Sequence, residues 1–315
     1  MNPFIALVLG FVVQLLPEAL ASHGLKEKLI AASFMHPELY QCIKATPNSQ
    51  YDGNLNEIKK SQSHEDTWLW EKIYSTLPLA DVMGGTFLEI GGYTGVDLSN
   101  SFFFEKKYDW RGLLVEGHPA NQKILRSNQQ IRSNSVIATA AICSLDANDN
   151  PGSVNFTTGG GPVGAIASEA HQKFLEYWHK NEGTLQVSCL PLQLLLESTG
   201  LIDIDLFSLD VEGAELFVLK TIDFRITNIH VILVELDGGN PTKDTAVRNL
   251  LATEGFVNAE KTLGSVRSAC DNINFGCTSN EVYINPYYLE RKRARHHFFG
   301  QVNRYYQYGT SLPCV

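Results

Sequence analysis

The sequence predicts an α/β protein built on a mostly parallel sheet, with helices on both faces and a reversed strand at one edge. Three observations predict it. Short apolar runs recur along the chain, separated by segments with helical spacing. The first core run, Thr86–Ile90, stops at the glycine pair Gly91-Gly92 and reaches a third glycine at Gly95. Acids close later runs, at Glu116 and Asp210, and the crevice beyond the carboxyl ends of parallel strands is where such sheets take ligands.

The 315 residues are enough for one large domain or two small ones, and 44% hydrophobic with 19% charged residues is an ordinary globular balance. A net charge of −9 argues against general nucleic-acid binding. The N-terminus reads differently. Residues 4–16 are an uncharged apolar run, followed by Pro17-Glu18 and then Ala19-Leu20-Ala21. That is the size of a signal-peptide core with a small-x-small site after Ala21. It falls short of the roughly 20 residues of a membrane span, and no Lys or Arg precedes it. The expected division is a signal peptide or anchor over 1–21, a helical extension over 22–60, the main domain over 61–286 and a tail over 287–315. The expected location is the secretory pathway or beyond the cell.

Six cysteines suit an oxidising compartment. Cys270 and Cys277 are near enough to staple a hairpin, whereas Cys42, Cys143, Cys189 and Cys314 have no deducible partners. No CxxC and no Cys/His cluster with zinc spacing is present, so no metal is expected. Asn155-Phe156-Thr157 is the only acceptable glycosylation sequon, because Pro241 excludes the one at Asn240.

Taken in order, the main domain opens with a polar cluster at 61–66 ahead of an apolar helical face carrying Trp68, Leu69, Trp70, Ile73 and Tyr74. Asp66 reads as a cap, with a place in a ligand site as the alternative. Phe87, Leu88 and Ile90 suit a buried strand, the glycines suit a sharp turn, and residues 96–105 then open a helix. The second strand, 113–116, ends in Glu116, 21 residues beyond Gly95. An acid there hydrogen-bonds ribose hydroxyls in doubly wound nucleotide sites. Pro119 starts the next helix. His118 before it either covers a ligand or sits in a surface loop. Residues 135–142 make a third strand and Gly152–Thr157 an added one, followed by a glycine-rich loop at 158–164 and a helix near 169–180. The fourth core strand, 202–210, runs into Asp210-Val211-Glu212-Gly213-Ala214-Glu215. Acids at the end of a buried strand are costly unless they bind something. Residues 231–236 form a fifth strand, and 255–257 with 280–285 pair as a long antiparallel hairpin. The tail carries Arg291, Lys292, Arg293, Arg295 and Arg304 against one acid, Glu290. It either docks on the protein's own acidic surface or meets anionic lipid or a cargo protein.

The glycine turn argues against a dehydrogenase. GGYTG lacks the GxGxxG spacing that cradles a pyrophosphate, and Glu89 beside it repels phosphate. An adenosyl cofactor bearing a sulfonium and an ammonium fits better. FLEIGGYTG, LLVEGHP and above all SLDVEGAELFVLK resemble the FkbM-type methyltransferases, a branch of the class I S-adenosylmethionine-dependent enzymes. The Ser61-Gln62-x-x-Glu65-Asp66 cluster and the segment at 280–285 also match that pattern, so the resemblance spans about 60–286. It implies a Rossmann-like, seven-stranded sheet with a reversed last strand and O-methylation of a small molecule or glycan, with S-adenosylmethionine as cofactor. Carried over by position, Glu89, Gly91, Gly92, Tyr93 and Gly95 shape the methionine side, and Glu116 holds the ribose. Ala141 and Ile142 lie by the adenine, and Asp210 and Glu212 face the methyl group. Asp210, Glu212 or His118 is the expected base. The alternative reading is a non-catalytic, Star-like sorting protein of the secretory pathway, since secretory animal proteins resembling Star carry the same domain.

Overall fold

A computed structural model describes residues 54–146, 148, 150–236, 238–266 and 280–292. The N-terminal apolar run, Cys270, Cys277 and the tail beyond Lys292 lie outside the described residues. No described helix is long and apolar enough to cross a membrane.

The main sheet is made by β1 (Thr86–Ile90), β2 (Arg111–Val115), β3 (Ser135–Ala138), β7 (Asp203–Leu209), β8 (Asn228–Glu235), β9 (Val257–Asn258) and β10 (Asn280–Ile284). A smaller sheet is made by β4 (Ala141–Ile142), β5 (Gly152–Thr157) and β6 (Thr184–Leu190). The order across the main sheet is β3-β2-β1-β7-β8-β10-β9. Neighbours from β3 to β8 are parallel, while β10 runs antiparallel to both β8 and β9. The seven strands and the reversed one are as the sequence predicts.

Both faces of the sheet are covered, which is why its central strands read as nearly unbroken apolar runs. Along β1 and β7, Leu88, Ile90, Phe207 and Leu209 pack into one apolar layer. Phe87 and Leu206 pack into the other, with Trp110, Phe103 and Phe104. The covering helices include α1 (Glu65–Lys72), α2 (Phe102–Tyr108), α3 (Pro119–Ser127), α4 (Gln172–Trp178), α5 (Leu192–Thr199), α6 (Glu215–Leu219) and α7 (Pro241–Thr253). The strand order changes direction between β1 and β7, and a crevice opens at their carboxyl ends.

Four expectations need correction. The run 135–142 is two strands, because the chain breaks after Ala138 and β4 leaves to pair with β6. β6 itself, Thr184–Leu190, lies in a stretch where no strand is expected. Its polar residues alternate with Val187 and Cys189, which are buried, and the Cys143–Cys189 disulfide fastens it at a Cα–Cα distance of 5.5 Å. The helix after the glycine turn starts at Phe102 and not at 96. The intervening residues are held in a turn in which Leu98 has φ 63° and Thr94 Oγ1 accepts the Asp97 amide at 2.8 Å. Asp66 is fully buried, and one carboxylate oxygen accepts the Lys60 amide at 3.0 Å. It fastens the chain's entry to α1, whose N-cap position is taken by His64. The described start of the tail docks on the chain itself: Lys292 pairs with Asp205 at 2.7 Å, and the Tyr288 ring stacks on His230.

Candidate active site

A cavity of about 580 Å³ fills the crevice, within the usual range for ligand pockets. Its floor is the glycine turn. Gly91 has φ +86°, and a Cβ there would stand 1.8 Å from the Asp210 carbonyl oxygen. Only glycine lets the ends of β1 and β7 come this close. The Gly91 and Gly92 amides both donate to the Val115 carbonyl, at 3.1 and 3.0 Å, which ties the turn to the tip of β2.

Beside that tip Glu116 is buried, with its two carboxylate oxygens accepting the Tyr93 amide at 2.8 Å and the His118 amide at 2.7 Å. Burial raises its pKa to about 7, against the opposing pull of those amides. Glu89 also lines the cavity, but its carboxylate is engaged from the protein side. It accepts the Ser99 hydroxyl at 2.8 Å, the Asn100 amide at 2.9 Å and the Ser101 hydroxyl. The same two serines take the guanidinium of Arg132, which is wholly buried, pairs with Glu105 at 2.7 Å and donates to the Gly95 carbonyl at 2.7 Å.

At the far end of the cavity Asp210, Glu212 and Glu235 each bring a carboxylate oxygen within 4.8 Å of the others. Glu212 adopts φ 55°, a left-handed conformation rare outside glycine. Glu215 stands behind them and holds the bend, accepting the Gly213 amide at 3.1 Å and the Val211 amide at 3.2 Å. Burial lifts its pKa to about 7, and Asp210 adds to the rise. Glu235 is pushed well above the carboxylate range, first by burial and then by the charges of Asp210 and Glu212. A proton held on Glu235 relieves the repulsion among the three. Three such oxygens are also a set that a hard divalent cation accepts.

The residues expected at the site therefore divide. Glu89, Gly91, Gly92, Tyr93, Glu116, Ala141, Ile142, Asp210 and Glu212 all line the one cavity. Gly95 does not: its φ of +74° serves the turn, and a Cβ there would meet Leu125 at 2.5 Å. His118 does not line it either. It is 2% exposed and caps α3 by accepting the Ala120 amide on Nδ1 at 3.2 Å. Glycines 160 and 164 cover its ring. Burial lowers its pKa, and its place under that loop separates it from an acceptor in the cavity. Sequence reasoning passed over Glu235, Asn100, Ser208, Phe174 and Trp178, which line the cavity as well. Glu235 carried the signal used for Glu116, an acid closing a buried strand.

This sheet, with its switch point and its reversed strand, is the class I methyltransferase-like α/β architecture. The chain belongs to the methyltransferase FkbM domain family, whose profile matches residues 89–258, just over half of its length. Solved structures similar to it include methyltransferase FkbM from Methylobacillus flagellatus KT, at 11% identity and TM-score 0.36, covering 64% of this chain and 44% of that one. Another is precorrin-6y C5,15-methyltransferase from Geobacter metallireducens GS-15, at 12% identity and TM-score 0.35, covering 76% and 93%. A third is an O-methyltransferase from Bacillus cereus in complex with SAH, at 10% identity and TM-score 0.30, covering 80% and 98%. No curated protein sequence matches the chain.

Proposed function

We propose that the protein is an S-adenosylmethionine-dependent methyltransferase that methylates a hydroxyl of a small molecule or sugar. The observation that carries this reading is one cavity with Glu116 at one end and the Asp210, Glu212 and Glu235 carboxylates at the other. The cofactor fits the donor set. Among the described residues the cavity is lined by carboxylates and by no Lys, Arg or His, which suits a ligand bearing a sulfonium and an ammonium and opposes one bearing phosphates.

Glu116 would hold the ribose hydroxyls, the glycine turn would admit the methionine portion, and Ala141 and Ile142 would flank the adenine. When bound, the cofactor supplies an electrophilic methyl group. The chain's own part is to hold the acceptor oxygen in line with it, an effect worth about 7–11 kcal/mol when attack geometry is reached. Asp210 or Glu212 would accept the hydroxyl proton as the oxygen gains its methyl, while Glu235 keeps its own. Calorimetry of the purified protein with S-adenosylmethionine and with S-adenosylhomocysteine tests the reading. Micromolar binding of either supports it, and binding of neither overturns it.

One observation favours a second reading. The Cys143–Cys189 disulfide suits an oxidising compartment, whereas S-adenosylmethionine is made in the cytosol. A sorting role in the secretory pathway, with the fold kept and the chemistry lost, accounts for that combination, and the same titration separates the two.

A further inference from the structure

The segment just before α1 reaches the cavity and lends it Gln62. Two acids hold that segment in place. Asp66 Oδ2 accepts the Lys60 amide at 3.0 Å and the Ser61 amide at 3.4 Å, while Ser61 Oγ accepts the Asp66 amide at 3.2 Å. Glu65 accepts the Ser63 amide at 2.7 Å on one oxygen and the Asn280 side-chain amide at 2.8 Å on the other. Both acids are buried, and burying two carboxylates is expensive. What they fix is a partly exposed stretch, residues 60–63. Ser61 then bridges to Leu98, which is held at φ 63°. The bridge brings Gln62 and Asp97, both exposed, to one edge of the cavity just past the glycine turn.

Neither side chain makes a hydrogen bond among the described residues. The other two amide side chains in the lining are spent: Asn100 donates to Ser208 Oγ at 3.0 Å, and Asn121 donates to the Gly161 carbonyl at 2.9 Å. Glu89 is engaged as well, by Ser99, Asn100 and Ser101. Gln62 offers N–H donors and Asp97 offers acceptor oxygens. A donor and an acceptor at one edge match an α-amino acid group, which carries a carboxylate and an ammonium on the same carbon. The carboxylate is the demanding half, because the described wall is rich in acids and has no base. The uncommitted amide of Gln62 is a donor that meets it there. We propose that Gln62 and Asp97 form a clasp for the amino-acid end of the cofactor, Gln62 donating to its carboxylate and Asp97 accepting from its ammonium. The clasp gives the segment before α1 a selective role, telling an adenosyl ligand that bears an amino-acid group from one that lacks it. It rests on the cofactor reading proposed above.

Calorimetry of the full-length protein tests the clasp with three probes. S-Adenosylhomocysteine carries both groups, its decarboxylated analogue keeps only the ammonium, and methylthioadenosine lacks both. Gln62→Glu keeps the size but sets a charge against the carboxylate. It should weaken S-adenosylhomocysteine about tenfold or more and bind the decarboxylated analogue no less tightly than wild type. Asp97→Asn should weaken both of those ligands about tenfold and leave methylthioadenosine unchanged. Two results overturn the clasp and leave the cofactor reading standing: S-adenosylhomocysteine affinity within about threefold of wild type in either variant, or losses that methylthioadenosine shares. A wild-type protein that binds none of the three overturns the cofactor reading, and the clasp with it.

Discussion

Replacing Glu116 by Gln probes the cofactor end of the cavity most directly. The wild-type carboxylate takes the Tyr93 amide on one oxygen and the His118 amide on the other. Glutamine keeps the size but has one oxygen, so its NH2 group must face an N–H donor or turn away. If ribose hydroxyls donate to the remaining lone pairs, the change removes charge-assisted hydrogen bonds worth about 1.5–3 kcal/mol. That is a loss of about 10- to 150-fold in affinity for S-adenosylmethionine. A second signature comes from pH. Burial places the Glu116 pKa at about 7, so at pH 6 most molecules carry a proton where the ligand needs an acceptor. Binding then expels that proton, and wild-type affinity should rise about tenfold from pH 6 to pH 8 before levelling off. In Glu116→Gln the profile should be flat. Calorimetry at pH 6, 7 and 8 reads both effects. An affinity within about threefold of wild type, or an unchanged pH slope in the variant, refutes the reasoning.

Three further outcomes are expected. Stability should rise as pH falls from 8 to 6.5: Glu116 and Glu215, at about 7, and Glu235, higher still, keep protons that the unfolded chain has lost. Over that window each of the first two contributes about 0.8 kcal/mol, and urea midpoints that climb from pH 6.5 to 8 would contradict this. Below 6.5 the curve should flatten, because burial lowers the pKa of His118 and brings that of His230 to about 4, so the unfolded chain takes up those protons first. Gly91→Ala should cost at least about 3 kcal/mol in thermal unfolding, since its Cβ meets backbone. Gly255→Ala, at the same φ of +86° but with nothing within 4 Å, should cost only about 1 kcal/mol. Removing the Cys143–Cys189 bond by double alanine substitution should lower stability by about 2–4 kcal/mol, the range for cross-links of this kind, and reductant should then have no further effect at these two positions.

The sheet was legible because β1, β2, β7 and β8 are buried on both faces, and double burial writes an unbroken apolar run into the sequence. β6 was not, because its polar alternation sits on a small sheet with one covered face, and such a run resembles a loop when its partners are unknown. At the site, the acids at 116 and 210 stood out because each closes an apolar strand. Glu235 closes one too, but Leu236 after it lets the run read onward, and the acid looks incidental. His118 misled for a different reason. A histidine before Pro119 has no local sign that a loop 40 residues on will bury it. Asn121 and Arg132 gave no sequence signal at all, since their roles depend on pairing with backbone far along the chain.

Arg132 has a consequence for how a ligand meets the glycine turn. The turn is braced from beneath by a guanidinium that no water touches, through Gly95, Ser99 and Ser101 to Glu89. None of those hydrogen bonds requires a guest. The cost of ordering the turn is therefore met when the chain folds and is not charged again at each encounter. Arrival at this end of the cavity is docking against a finished mould, at a rate set by diffusion and orientation and not by rearrangement of the turn.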